Sequence, residues 1–332
     1  MLFFKPNNII LIILLIVIYS CNPITKVQIE TIKPASNPIP FYANSVSFVN
    51  LENDINNDSE DDTVIVNMIY KEFLLGVDDI VRNSPRIDSQ NVYKANNYLP
   101  KNLFYYDDNK VNWNKIKKLD ICKNSDILFL LDSIYIIMES NNSEKIFNYN
   151  HYEYYKYRNF LVSAYFTTID IKHNKVIDKY NYKDSLIWED ANVDINILEK
   201  NFPDVRESIK ITGYWLGYDF ASRVFPCWIP QERTLYVTGN RDFIKAAQLY
   251  KENNYIEASK IWEKYINYYD KEIVSRATYN LALVCEMNGL YDDAVKYLIK
   301  SYKAKPKIKT KEYIIELEQR RIDNNKLKKQ LP

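Results

Sequence analysis

Apolar residues recur at helical spacing in two long stretches of the chain. Between residues 68 and 81 they fall three, four and seven positions apart, which is the spacing of one face of a helix. A second stripe of this kind runs through residues 205–222, and a shorter helical stretch occupies residues 113–123. The pattern therefore predicts two long helices and a shorter one.

Between these helices the pattern changes to that of β-strands. Nine of the eleven residues from Ile127 to Ile137 are apolar, a run too short to cross a membrane and typical of a strand buried on both faces. His173 and Asn174 separate two further segments and predict a hairpin turn. Strands are expected at residues 45–51, 127–137, 160–171, 175–180 and 234–237. Strands that alternate with helices indicate an α/β fold with a mixed sheet.

Small residues in the second long helix predict close packing. Gly213, Gly217 and Ala221 lie four residues apart, so they share one face of the helix. Small side chains at this spacing let a helix approach its neighbour closely, and we expect that neighbour to be the sheet.

The last third of the chain carries a repeated helical pattern. From Ser275 onward it lies in register with the tetratricopeptide repeat of about 34 residues, and a looser copy covers residues 239–272. The expected core and turn residues are Ala246, Tyr255, Ala258, Trp262, Leu281, Ala282, Gly289, Tyr291, Ala294 and Pro306. Helix pairs of this kind bind proteins or peptides in a groove, so we expect a protein or peptide partner there.

The amino terminus has the form of a signal peptide, with Lys5 followed by an apolar run over residues 9–18. Residues 18–21 resemble the lipobox of bacterial lipoproteins. The resemblance implies that Cys21 becomes the first mature residue and that its acyl chains bind a membrane. In Bacteroidota lipoproteins, acidic residues after the cysteine accompany surface export, and they are absent here. We therefore expect the periplasmic face of the outer membrane rather than the cell surface.

These patterns predict five parts of the chain. In order they are a signal peptide at 1–20, an extended, proline-containing tether at 21–44, an α/β domain at 45–238, two tetratricopeptide repeats at 239–308, and a capping helix with a basic tail at 309–332.

Composition limits the chemistry that the chain can perform. Only 5 of its 332 residues are glycine, and these are mostly too far apart for a phosphate-binding loop. His151 and His173 are the 2 histidines, too few for a multi-histidine metal site, and no serine or cysteine lies in a nucleophile motif. We expect no cofactor, no metal and no catalytic residue. The net charge of +1 gives no overall attraction to nucleic acid, and no nucleic-acid partner is expected.

Three local clusters are weaker candidates for a site. A tyrosine-rich segment at residues 149–158, which ends in Arg158, could stack on sugars or bases or could simply be a strand edge. Alternating lysines at residues 303–311 could contact anionic headgroups or form a solvated linker. The carboxylates of residues 184–190 could support acid/base chemistry. A disulfide between Cys122 and Cys227 also stays open.

Two sets of residues in the chain resemble known protein families. The segments Asp126-Ile127-Leu128 and Ile169-Asp170-Ile171 resemble the periplasmic α/β domain of curli-secretion lipoproteins and the amino-terminal domain of TolB. Over nearly its whole length the chain resembles the Bacteroidota lipoproteins of domain-of-unknown-function family 6340. The residues that carry this second resemblance are the lipobox, Pro34-Ala35, residues 46–50, residues 126–128 and residues 225–228. Neither resemblance implies a catalytic residue.

We therefore expect a lipid-anchored, non-enzymatic scaffold or protein-binding module of the cell envelope. Two alternatives are left open by the residues. One is an oligomeric subunit of an envelope secretion or assembly complex. The other is a glycan-active hydrolase, which needs two carboxylates about 5 to 10 Å apart.

Overall fold

The computed structural model describes residues 24–51, 60–95, 98–106, 110–148 and 151–331. The chain divides into two compact units. The sheet unit comprises Pro34–Cys227 with Lys329–Pro332, and the helical unit comprises Met1–Lys33 with Trp228–Lys328.

The secondary structure follows in chain order. The strands are β1 (Ile24–Lys33), β2 (Val46–Asn50), β3 (Val92–Lys94), β4 (Ile127–Ser140), β5 (Glu144–Asn148), β6 (His151–Asp170), β7 (Lys175–Asn192) and β8 (Cys227–Tyr236). The α-helices are α1 (Glu60–Arg82), α2 (Trp113–Ile116), α3 (Asp120–Lys123), α4 (Ile195–Asn201), α5 (Val205–Val224), α6 (Arg241–Lys251), α7 (Tyr255–Glu263), α8 (Lys271–Met287), α9 (Tyr291–Ala304) and α10 (Ile308–Gln330).

The sheet unit contains a mixed sheet, which confirms the α/β class expected from the sequence. Strand β2 pairs in parallel with β3 and with β4, while β4, β5 and β7 pair antiparallel to β6. The first five residues of β4 are buried, because apolar side chains cover both faces of the sheet there. On one face, Phe48 stacks on Phe129 with ring centroids 4.9 Å apart.

Three of the five glycines bring α1 and α5 into backbone contact. A Cβ on Gly217 would lie 1.9 Å from the carbonyl oxygen of Phe73, and a Cβ on Gly76 would lie 2.1 Å from that of Tyr214. A Cβ on Gly213 would lie 2.7 Å from the Ile69 carbonyl oxygen. The prediction of a close contact at Gly213 and Gly217 is therefore confirmed, but the neighbour of these glycines is the helix α1 and not the sheet.

The hairpin predicted at His173 and Asn174 is confirmed, and its strands are longer than expected. Asn174 adopts a φ of 52°, in the left-handed region that asparagine tolerates in turns. The Asp170 carboxylate accepts a hydrogen bond of 2.9 Å from the His173 backbone N–H. The predicted helix at residues 113–123 is instead two short helices, α2 and α3, because the chain turns between Lys117 and Leu119.

The extended tether expected at residues 21–44 is wrong for its described part. Strand β1 occupies Ile24–Lys33 and pairs with β8, so the helical unit has a two-stranded sheet of its own. Three of the four prolines lie after β1 and the fourth before it, so none interrupts the strand. The expected boundary at 238/239 also moves to 227/228, because β8 groups with β1 and the helices.

Candidate functional site

The outer half of β4, from Asp132 to Ser140, has one unpaired edge within the described residues. Strand β2 pairs with β4 only from Ile127 to Leu131, and the last bond runs from the Leu51 N–H to the Leu131 carbonyl at 3.0 Å. Beyond that point β4 pairs only with β6 in the described part of the chain. We call this stretch the open edge.

The open edge carries no charge from Ser133 to Met138, and five of these six residues, Ile134–Met138, are apolar. Tyr135, Ile137 and Met138 are 51%, 60% and 47% exposed. Soluble proteins normally protect an exposed strand edge with charges, prolines or a covering element. Among the described residues, Ser133–Met138 has no proline and no covering element, and the charges of the open edge are confined to Asp132 and Glu139.

An apolar groove runs beside the open edge, between β4 and the two long helices. Its volume is about 450 Å³. Ile134, Ile136 and Met138 share the face of β4 that points to these helices, because they pair with the buried residues Ala164, Val162 and Phe160. The lining comes from β4 and Phe160 together with Ile65, Val66 and Ile69 of α1 and Val205 and Ile209 of α5.

The opposite face of β4 holds a polar pocket, also of about 450 Å³. A β-bulge between Leu131 and Ser133 turns Asp132 into this pocket. The carboxylate accepts hydrogen bonds from the Tyr105 hydroxyl and, at 2.6 Å, from the Thr167 hydroxyl. Burial raises the pKa of Asp132, and these hydrogen bonds partly oppose that shift. Asp132 is the one carboxylate among the described residues lining this pocket, so a glycosidase pair is not assembled there.

The tyrosine-rich segment lies only partly at a strand edge. His151–Glu153 of β6 pair with β5 alone among the described strands, whereas β6 also pairs with β7 from Tyr154 onward. The strand-edge alternative therefore holds only at the start of the segment. Arg158 is buried and donates hydrogen bonds to the Pro203 carbonyl at 2.6 Å and to the Ser208 hydroxyl at 3.1 Å. Its guanidinium therefore does not face solvent as a stacking group. Tyr149 lies outside the described residues.

The acidic candidates at residues 184–190 are distributed along the edge strand β7. The Tyr182 hydroxyl lies 3.0 Å from the Asp184 carboxylate and 3.1 Å from that of Asp219. Trp188 packs edge-on against Phe160, with ring centroids 5.8 Å apart. Strand β7, like β3 and β5, is thus an edge strand among the described residues, and it carries seven charged residues, which are Lys175, Asp178, Lys179, Lys183, Asp184, Glu189 and Asp190.

The expected repeat residues lie in two helix pairs, α6 with α7 and α8 with α9. Ala246, Ala258, Trp262 and Leu281 belong to one buried cluster, and Ala282 and Ala294 belong to another, against which Tyr291 packs. Tyr255 is partly buried beside the first cluster. Gly289 has a φ of +71° in the turn before α9, and Pro306 follows the end of that helix. All of these residues therefore serve the core and the turns of the helical unit.

A buried ion pair joins three elements of the helical unit and has no signal in the sequence pattern. The Arg233 guanidinium on β8 donates two hydrogen bonds of 2.9 Å to the Glu286 carboxylate on α8. The Tyr313 hydroxyl on α10 donates to the same carboxylate at 2.5 Å. Burial alone would lower the pKa of Arg233, but the hydrogen bonds and charge of Glu286 hold it above its usual value.

Two lysines of the basic run are engaged rather than free. Lys305 and Lys307 lie 2.6 and 2.7 Å from the Glu272 carboxylate, which also pairs with Arg276 at 2.9 Å. Burial would raise the pKa of Glu272, but the hydrogen bonds from these cations lower it to about 2. Lys307 is therefore held against the fold rather than solvated as in a linker, whereas Lys305 pairs with Glu272 and stays 55% exposed.

The remaining candidates concern cysteines, metals and membranes. Cys21 lies outside the described residues. Cys122 and Cys227 are buried and are not joined by a disulfide. The described residues contain no group of three potential metal ligands and no helix with the length and apolarity needed to span a bilayer.

Comparisons with known proteins add a family but no activity. The crystal structure of a neuraminyllactose-binding hemagglutinin homolog from Helicobacter pylori is similar over 57% of this chain and 86% of that chain, with 8% sequence identity and a TM-score of 0.28. No curated protein matches the chain. The family described as Domain of unknown function (DUF6340) matches residues 244–319, which confirms the expected family over the helical part only. Residues 49–236, more than half of the chain, match a second family, and the protein therefore belongs to the family described as Domain of unknown function (DUF8603).

Proposed function

We propose that this protein is a lipid-anchored, non-enzymatic binding module of the bacterial cell envelope. In this proposal acyl chains on Cys21 hold it at the periplasmic face of the outer membrane, and the two helix pairs are tetratricopeptide repeats that offer a groove to a protein or peptide. The observation that carries the binding function is the open edge of β4, whose uncharged, largely apolar stretch Ser133–Met138 is exposed beside an apolar groove.

An open strand edge suits capture of an extended polypeptide segment. Its unpaired backbone N–H and C=O groups form the ladder that an added strand completes, which is how many proteins bind peptides. Each backbone hydrogen bond contributes about 0.5 to 1.5 kcal/mol net, so a short ladder needs side-chain burial as well. The adjoining groove supplies that burial.

Site-specific photocrosslinking in intact cells tests the binding function. A benzoylphenylalanine at Ile137, which is 60% exposed on the open edge, should form covalent adducts with another protein. The same group at Lys183, on the charged edge strand β7, is the matched control and should form far fewer. Equal adducts at the two positions, or none at Ile137, would contradict capture at the open edge. An adduct of twice the chain mass would favour the oligomeric alternative.

Fractionation of cells tests the anchor separately. Cys21→Ala should move the protein from the membrane fraction to the soluble fraction, because the acyl chains have no other attachment site in the lipobox. Cys285→Ala is the control and should leave the protein in the membrane fraction. Retention of the Cys21 variant in membranes would refute lipid anchoring and leave the binding function standing.

A further inference from the structure

The open edge constrains the chemistry of the segment that it captures, and this inference rests on the proposed function. Along Asp132–Ser140 the groups that lack partners among the described residues are backbone donors and acceptors in the regular spacing of a strand. Only an extended polypeptide presents a matching row of groups. A small molecule or a helix would leave most of them unpaired.

A second copy of this chain does not fit a two-fold pairing centred on the apolar stretch of the open edge. Strand β4 continues into β5 along the same side of β6, since Ser140 pairs with Arg158 and Glu144 pairs with Tyr155. A two-fold antiparallel pairing centred on Ile136 would extend the partner's β5 along the edge where β2 already pairs with Ile127–Leu131. A pairing centred on Ser140 avoids this overlap but sets the charged Glu144 and Lys145 of one copy against the apolar residues of the other. A separate segment, which can end before β2 and need not carry these charges, is therefore the occupant that fits.

The groove fixes which positions of the captured segment are apolar. Side chains of an added strand alternate between the two faces of the sheet. Those on the helix side would enter the groove beside Ile136 and Met138 of β4 and opposite Ile65 and Val66 of α1. Those on the other side would stand beside Tyr135 and Ile137, which are 51% and 60% exposed.

From these constraints we infer that the open edge binds an extended partner segment of about nine residues with aliphatic side chains at alternate positions and no charge on the groove side. The length follows from Asp132–Ser140, since β2 occupies the edge before it, and after it the strand is interrupted at residues 141–143 and resumes with the charged Glu144 and Lys145 of β5. The other face of the segment accepts serine, threonine or lysine, because it stays in water.

Synthetic peptides test this inference on the chain that lacks its first 21 residues. The first peptide alternates valine and threonine between terminal lysines, and the second has the same composition in an order that breaks the alternation. A third copies the first but carries N-methyl groups on alternate residues, which removes one row of backbone donors. By fluorescence anisotropy, the alternating peptide should bind at least about tenfold more tightly than either control.

Two variants locate the peptide on the protein. Ile65→Asp places a charge in the groove and should weaken binding of the alternating peptide by about tenfold. Val64→Asp is the matched control, because Val64 is 50% exposed on the same helix and does not line the groove. It should change binding by less than about twofold.

The outcomes separate this inference from the proposed function. Equal binding of the alternating and permuted peptides overturns the inference, and so does an equal effect of the two helix variants. Dimerisation of the chain that Ile137→Lys abolishes would also overturn it, because a second copy would then occupy the edge. If adducts at Ile137 form in cells while the peptide series fails, the binding function stands and only this segment chemistry is refuted.

Discussion

The two units of the chain bring their elements together by opposite means. In the sheet unit, α1 and α5 touch through backbone atoms, and this contact uses three of the five glycines. In the helical unit, side chains mediate the contact, and Arg233, Glu286 and Tyr313 form a charged cluster among apolar residues.

The two contacts differ in whether other residues can replace the ones that form them. A backbone contact leaves no volume for any side chain, so only glycine fits. A buried ion pair costs desolvation that its own attraction barely offsets, so apolar residues of similar size can replace it as a set. We therefore expect the sheet unit to be intolerant at single positions and the helical unit to be intolerant only to partial replacement.

The largest effect is expected at the helix contact of the sheet unit. Gly217→Ala places a methyl group 1.9 Å from the Phe73 carbonyl oxygen, so the helices must move apart. The free energy of unfolding, measured by urea denaturation, should fall by at least about 3 kcal/mol. Gly239→Ala is the control, because its methyl group would meet only the Phe243 ring at 3.3 Å. If Gly217→Ala lowers the free energy of unfolding by less than about 1 kcal/mol, the backbone contact is not less tolerant than the side-chain contact, and the expected difference between the two units is contradicted.

A smaller loss is expected when the charged cluster is broken on one side. Glu286→Gln removes the buried carboxylate of Arg233 and leaves the half-exposed Glu316, at 2.8 Å, as its remaining anionic partner, so the free energy of unfolding should fall by about 3 kcal/mol or slightly less. Replacing the whole cluster by Arg233→Met, Glu286→Leu and Tyr313→Phe should restore the stability to within about 1 kcal/mol of the original. If the triple variant is less stable than the single one, the cluster is as irreplaceable as the glycines.

The smallest effect is expected at Glu272, whose cation partners lie near the surface. Its pKa is about 2 in the folded chain and about 4.3 when unfolded, so its contribution is present above the unfolded value and is lost as the pH falls towards 2. Glu272→Gln should lower stability at pH 7 by about 1 kcal/mol, since solvent screens the pairs. Stability curves of the two proteins should converge between pH 4.5 and pH 2. A pH-independent difference would show that packing, and not charge, carries the effect.

Periodic patterns were sufficient to predict the main helices and the buried strand. The stripes at residues 68–81 and 205–222 lie within α1 and α5, and the apolar run from Ile127 begins β4. These elements bury one face or both, so the spacing of their apolar residues shows which faces are buried. The sequence could not identify the neighbour of α5, because a stripe of glycines indicates a close contact but does not show which element makes it.

Pairings between residues far apart in the chain could not be predicted from the sequence. Strand β1 pairs with β8 across about 200 residues, and no local pattern records that pairing. The Arg233 and Glu286 pair is equally remote, at a separation of 53 residues. The open edge did leave a signal, since Ser133–Met138 lacks the charges that β7 carries, but interpreting it requires knowing that both strands are edges.

The charged strand β7 limits how copies of this sheet can join. Lysines and carboxylates along an edge oppose the addition of another strand, so growth is disfavoured on that side. A chain of copies in which the open edge of one sheet pairs with β7 of the next would need this disfavoured step at every junction. The charges of β7 therefore oppose growth of a fibre by that route and leave the open edge to a separate segment.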